Sequence, residues 1–400
     1  MAEVMEKPSE TSRRHIDGHT YLCEKPARIR SGIQHMVYEA LFEPFSLNKL
    51  VLPNRFVMAP MTRLFAEDGI IPPETGAYYR KRAEGGVGLI LTELSVVDRE
   101  ASYCDPAMPR LNSEASFDAW RGVVDDVHAA NGRIGLQIGH LGANPNPMTG
   151  WLPEGRIDSV SGFDNSGNSL GEPMRDADIA DTIAAFANAA AEAQRTGFDT
   201  VEIHGAHGHL IDQFAWAFTN RRNDAWGGNM SGRARFGAEV VRAVREATGP
   251  DFPIIMRLSQ WKIGHYEAKV AATPAELEAW VAPLVDAGVD ALHGSQRRYW
   301  EPEFEGSDLN FAGWLKKLSG KPSITVGSVG LSGEFMAAYA GESAEPRSID
   351  GLYERMERGE FDLIAVGRAL LGDPDWVEKV RAGRMDELRT FDPDAFKTLA

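Results

Sequence analysis

Cysteine is almost missing from this chain: two occur in 400 residues, Cys23 and Cys104. They make no CxxC pair, cluster-ligand array or disulfide framework, so a reducing compartment fits best. No run of about 18 apolar residues exists, and the opening MAEVMEKPSETSRRHIDGHT is polar, without a signal-peptide core. A soluble, cytoplasmic protein without a membrane partner is expected. Basic surplus is also missing. Lys plus Arg number 42 against 58 Asp plus Glu, a formal charge of -16, which argues against nucleic acid or an anionic membrane surface as partner. No GxGxxG string occurs, which counts against a doubly wound dinucleotide-binding sheet.

What the chain does have is a sizeable apolar fraction, 43%, beside an ordinary 25% of charged residues. Residues 1–40 are mixed and broken by Pro8, Gly18 and Pro26, and are expected to form an extension. From Phe45 onward, apolar strand, small-residue loop and amphipathic helix alternate. Strands are expected at 55–59, 88–91, 134–138, 200–203, 254–258, 291–293, 323–326 and 363–366. Helices are expected at 75–84, 116–130, 178–196, 231–248 and 274–287. Gly132, Gly197, Gly249 and Gly288 follow helical patterns, where a left-handed cap belongs. Eight such units predict a single (β/α)₈ TIM barrel over 41–382, with an N-terminal extension at 1–40, a C-terminal tail at 383–400 and insertions at the barrel mouth. The insertions are 143–175, read as a long substrate-shaping loop, and 331–360, between strands seven and eight.

The segment VEIHGAHGHLIDQF (201–214) places His204, His207 and His209 where an apolar strand gives way to small residues. Loops after strands build the active site of an α/β barrel, and His204 with His207 could pin one anionic or carbonyl oxygen from two sides. The loops after strands seven and eight read VGSVG and VGRAL. Gly327, Gly330 and Gly367 allow close backbone approach, and Arg368 adds a cation, the makings of a phosphate grip. Arg257 sits in an otherwise apolar strand, where an unpaired guanidinium is costly. It either neutralises an internal carboxylate such as Glu202 or faces negative charge on a bound cofactor. Gln137 carries the donor and acceptor needed to read a heterocycle's imide edge. Pro60, Met61 and Thr62 end the first strand at the mouth.

The chain resembles the Old Yellow Enzyme family of FMN-dependent ene-reductases. The matching strings are NRFVMAPMTR (54–63), GGVGLILTE (85–93), LQIGHLG (136–142), VEIHGAHGHLIDQF (201–214), NRRNDAWGG (220–228) with RARF (233–236), and AVGRALLGDPDW (365–376). The resemblance implies non-covalent FMN, NADPH or NADH as reductant, and reduction of electron-poor alkenes, α,β-unsaturated carbonyl or nitro compounds. It implies Pro60, Met61 and Thr62 along the flavin, the backbone of Glu93 and Leu94 near its O4, and Gln137 on its pyrimidine edge. It implies Arg257 near N1, and Gly327, Ser328, Gly367 and Arg368 on the phosphate. His204 and His207 would hold the substrate oxygen, with Tyr299 and Trp300 as further substrate contacts. Two positions depart from the family pattern. His209 stands where a proton-donating tyrosine is usual, so His209 becomes the candidate donor, and Ala143 replaces an arginine.

Other readings remain open at this level. An N-demethylase or amine-oxidising flavoenzyme fits the same barrel. A metal-dependent hydrolase using the His207-Gly208-His209 pair is a reading from another class, although no metal is expected. A homo-oligomer is compatible with the chain.

Overall fold

The computed structural model describes residues 38–400. Most of the expected extension, with Cys23, lies outside the described residues. A 3₁₀ turn, Glu39–Phe42, leads into a hairpin of β1 (Phe45–Leu47) and β2 (Leu50–Leu52). Eight parallel strands then close a barrel in the order β3 (Phe56–Met58), β4 (Leu89–Val97), β6 (Ile134–Gly139), β7 (Thr200–His207), β8 (Ile254–Lys262), β9 (Ala291–Ser295), β10 (Ser323–Val326), β11 (Leu363–Val366), with β11 pairing back to β3. A short strand, β5 (Arg110–Leu111), extends β4 at its far end. The barrel is therefore the (β/α)₈ fold that the alternating pattern predicts. Among the described residues, no helix is long and apolar enough to cross a membrane.

All eight expected strands are present. Strands β4, β7 and β8 run several residues further than expected, pairing resuming beyond irregularities at Leu91–Leu94 and Gly205–His207. Helices α1 (Glu74–Glu84), α2 (Glu114–Ala129), α3 (Asp176–Thr196), α5 (Met230–Thr248) and α6 (Pro274–Asp286) match the expected five within two residues at each end. Their starts are chemically marked: Ser113, Asn229 and Thr273 each accept a backbone N–H from the first turn, and Pro274 occupies the first turn of α6. In α3, Ile179, Ala185, Phe186, Ala189, Ala190 and Ala193 are buried at helical spacing and make its barrel-facing stripe. Gly197, Gly249 and Gly288 have positive φ, as expected, but Gly132 does not. Asn131 takes the left-handed position there (φ 57°). Gly132 is small for another reason: a Cβ would come within 2.7 Å of the Ala83 and Val127 side chains.

Shorter helices went unread in the sequence: α4 (Leu210–Ala215), α7 (Phe311–Ser319), α8 (Phe335–Tyr339), α9 (Asp350–Glu357), α10 (Arg368–Gly372) and α11 (Trp376–Arg381). Helices α8 and α9 lie in the 331–360 insertion. The expected tail at 383–400 is folded back onto the barrel. Phe391 is fully buried and pairs with Ala344 in both directions at 2.8 and 3.0 Å. Arg63 donates to the carbonyls of Ala395 and Thr398, and Arg82 to that of Ala400.

The barrel interior is layered. Near the strand starts, Leu47, Leu50 and Leu52 of the hairpin pack with Val57, Leu89, Ile255, Ala291, Ile324 and Leu363 and plug that end. Each of these Leu, Ile and Val side chains contributes about 1.5–3 kcal/mol on burial. Further along the same inward positions the side chains become Gln137, Glu202, Arg257 and His293, then His204 and Ser295. Outward neighbours Val201, Ile203, Met256, Leu258 and Leu292 face the helices.

Candidate active site

Pro60, Met61, Thr62, Leu94, Gln137, His204, His207, His209, Arg257, Gly327, Ser328, Gly367 and Arg368 all line one cleft at the C-terminal ends of the strands. Tyr299 and Trp300 do not. They line a separate pocket with Arg347, Asp350 and Arg355, the Tyr299 backbone being held by its N–H to the Gly327 carbonyl and by Asn310 Nδ2 donating to its carbonyl. Glu93 is buried behind the cleft, its carboxylate accepting the Arg63 backbone N–H at 3.0 Å. The 143–175 loop supplies no lining residue either. Asn165 instead donates to the Gly208 carbonyl at 2.9 Å and supports the histidine turn from outside. The cleft is completed by residues not singled out from the sequence: Trp261, Ile263, Ser295, Gln296 and Arg297, Leu331, Phe335 and Tyr339 from the insertion, and Phe396 from the tail. Phe396 stacks on Tyr339, ring centres 5.2 Å apart and nearly parallel.

Register explains how the polar side chains meet. Gln137 pairs with Glu202 across β6 and β7, His204 with Arg257 across β7 and β8, and Arg257 with His293 across β8 and β9. Glu202 is fully buried. It accepts from Gln137 Nε2 at 2.7 Å and bonds His293 Nδ1 at 2.6 Å. Burial alone would raise its pKa, but His293, Arg257 and Gln137 outweigh that and hold it below the usual carboxylate range. Arg257 makes no hydrogen bond to Glu202. Its Nε is buried without a protein partner, and one Nη makes a long 3.5 Å contact to Ser295 Oγ. The internal carboxylate is thus satisfied by an amide and an imidazole, leaving a guanidinium with donors to spare at the cleft wall.

His204 and His207 have ring centres 5.0 Å apart, and His204 and His209 4.7 Å. Burial, then the charge of nearby groups including Arg257, pushes the pKa of His204 and His207 well below the usual histidine value; His209 is pushed down to about 3. All three imidazoles are neutral at pH 7. Gln137 Nε2 lies 3.2 Å from His204 Nδ1 and can only donate, so His204 carries its proton on Nε2. The turn itself is held by a buried ion pair. Lys262 Nζ meets Asp212 Oδ1 at 2.8 Å, and Asp212 Oδ2 accepts the Gly208 N–H at 2.7 Å. His207 at φ 65° and Gly208 at φ 83° swing the chain through this turn.

On the phosphate side, Gly327 has φ 145°, and a Cβ there would lie 2.6 Å from the Gln296 carbonyl oxygen. No other residue fits. Arg368 donates to the carbonyls of Glu334 and Gly333 at 2.9 and 2.7 Å. Neutral carbonyls orient the guanidinium without cancelling its charge. The cleft lining holds Arg257, Arg297 and Arg368 and no Asp or Glu. Among the described residues, no group of three or more His, Cys, Asp or Glu side chains is arranged to hold a metal ion. His207 and His209 are 6.4 Å apart with nearly perpendicular rings.

A closed barrel that gathers an amide, a buried guanidinium and paired imidazoles in one cleft at its C-terminal rim defines a class, the (β/α)₈ barrels with a polar site at the strand ends. Within that class, the chain belongs to the NADH:flavin oxidoreductase / NADH oxidase family, the Old Yellow Enzyme family, whose pattern it matches over residues 40–387. It is 34% identical over 361 residues to an NADH oxidase of Thermoanaerobacter brockii, covering 87% of this chain and 52% of that protein. It is 33% identical over 351 residues to a chanoclavine-I aldehyde reductase of Penicillium roqueforti, covering 86% and 89%. The chain therefore spans about half the length of the bacterial relative and most of the fungal one. The solved structure of morphinone reductase in complex with tetrahydroNAD is similar with a TM-score of 0.73 and 27% identity, over 89% of this chain and 94% of that one.

Proposed function

We propose that the protein binds FMN without a covalent link, takes hydride from NADH or NADPH, and reduces the activated C=C bond of α,β-unsaturated carbonyl or nitro compounds. The observation that carries this reading is the pair His204 and His207: two neutral imidazoles at one cleft wall, beside an amide and guanidiniums with no acidic side chain lining the space. The family supplies the expectation of flavin, and the tetrahydroNAD complex of morphinone reductase supports a nicotinamide reductant.

The residues present fit the cofactor. Arg257 Nε, buried and unpartnered, suits the electron-rich side of an isoalloxazine ring, and Gln137 suits its amide-like edge. Gly327, Ser328, Gly367 and Arg368 form a cradle for a phosphate. Bound FMN would supply hydride transfer. The side chains supply the rest. His204, through Nε2–H, and His207 hold the substrate's oxygen and draw electron density from the alkene. His209 is the candidate for moving a proton to the α-carbon. Held neutral, it is not a store of imidazolium at pH 7, so it would act as a relay, releasing a proton from one ring nitrogen to the α-carbon as the other takes one from a water molecule. Its Nδ1 is buried with no protein partner.

A visible spectrum of the purified protein tests the reading. Flavin absorbance is expected, bleached anaerobically by NADH or NADPH and restored by an enone or nitroolefin. A colourless protein, or restoration only by methylated amines, overturns it. Comparison of His209→Phe with wild type on an enone tests the relay: reoxidation should slow without a titration near pH 6.5 in either protein.

A further inference from the structure

One buried hydroxyl lies against the side chain of His207 at the cleft wall. Ser295 ends β9, is 2% exposed, and lines the cleft. Its Oγ lies 2.8 Å from His207 Nε2 and 3.5 Å from an Nη of Arg257. A guanidinium only donates, and its charge turns the hydroxyl proton away from it. Among the described residues the other side-chain partner of this hydroxyl is His207 Nε2, and a hydroxyl that donates there leaves the His207 ring proton on Nδ1. The same residue fixes the ring plane. Its carbonyl accepts from Trp261 Nε1 at 3.2 Å, and Trp261 packs on His207 with ring centres 4.5 Å apart. The His207 backbone is pinned by its N–H donating to Ser259 Oγ at 2.8 Å.

We propose that Ser295 is a positioning residue that locks His207 as an Nδ1–H donor. It acts opposite Gln137, which locks His204 as an Nε2–H donor, so that both imidazoles offer protons to one acceptor oxygen. The inference rests on the proposed reduction of carbonyl and nitro compounds for its catalytic meaning, but not for its structural content. It ties His207 to Arg257 through a single hydroxyl, and makes the site a donor pair suited to a neutral or anionic oxygen.

The test uses flavin-loaded protein with ¹⁵N-labelled histidine, in wild type, Ser295→Ala and Ser295→Thr. Long-range proton–nitrogen spectra are expected to show His207 protonated at Nδ1 and bare at Nε2 in wild type. In Ser295→Ala the proton should move wholly or partly to Nε2, and KM for 2-cyclohexenone should rise about tenfold with kcat changed much less. Ser295→Thr, which keeps the hydroxyl, should restore both. Wild-type His207 protonated at Nε2 overturns the proposal, as does an unchanged tautomer in Ser295→Ala. Loss of bound flavin in Ser295→Ala with the tautomer unchanged also overturns it, placing Ser295 in the cofactor site instead. Wild type with the Nδ1–H tautomer but no reduction of the enone supports the positioning and sinks only the proposed activity.

Discussion

The two ends of the barrel are built from the same strands and the same inward positions, yet differ in chemistry. At the strand starts, Leu47, Leu50 and Leu52 plug a layer of Val57, Ile255, Ala291 and Leu363 that contains no polar atom in need of a partner. Two to four residues further along, the inward positions hold Gln137, Glu202, Arg257, His293 and His204, several of them fully buried, and buried nitrogens of Arg257, His293 and His209 lack partners. Apolar burial pays for the cost of that second layer. One end supplies stability and the other spends it on donors poised for a ligand.

The sharpest way to break this division is at Asp212, which belongs to the polar end but acts structurally. Asp212→Ala strands the buried Lys262 ammonium and should lower stability by about 3–5 kcal/mol in chemical denaturation, while freeing the Gly208 turn. His204→Ala should act oppositely: turnover of an enone falls by roughly 10²–10³-fold, as for loss of an oxyanion donor, with stability within about 1 kcal/mol of wild type. Leu52→Ala at the plugged end should cost about 3 kcal/mol of stability and leave KM and flavin content unchanged below the melting transition. A further test concerns pH. Burial lowers the His209 pKa to about 3 in the folded protein against about 6.5 unfolded. Stability from this group is therefore complete above pH 6.5 and lost as pH falls toward 3. His209→Phe should lose less stability than wild type between pH 6.5 and 3, whereas Leu52→Ala should keep the wild-type slope. Equal slopes in all three proteins would erase the distinction between the ends.

Much of the barrel was legible because its signals are local. Strands β10 and β11 end where the apolar runs end, and Ser113, Asn229 and Thr273 cap helices through their own first turns. The motif positions of the cleft were legible for the same reason, since Gly327 and Gly367 directly follow β10 and β11 and His207 ends β7. Tyr299 and Trp300 were misplaced because a position after a strand does not fix the direction in which the loop turns. Phe335, Tyr339 and Phe396 could not be foreseen: an aromatic in a polar insertion or near the chain's end has no period that announces its partner across more than 50 residues.

Sequence by itself determined the alternation of strand and helix, the exclusion of a disulfide or iron–sulfur framework in a chain with two cysteines, and the set of polar residues set into apolar strands. Tertiary structure alone decided what those residues do. Whether Arg257 hydrogen-bonds Glu202 or keeps its donors for the cleft depends on β6 and β9 delivering Gln137 and His293 to the carboxylate. Which protons His204 and His207 present depends on single hydrogen bonds from Gln137 and from Ser295, on strands far apart in the chain. Barrel closure sets those distances, and a hydrogen bond's direction is fixed only when both partners are in place.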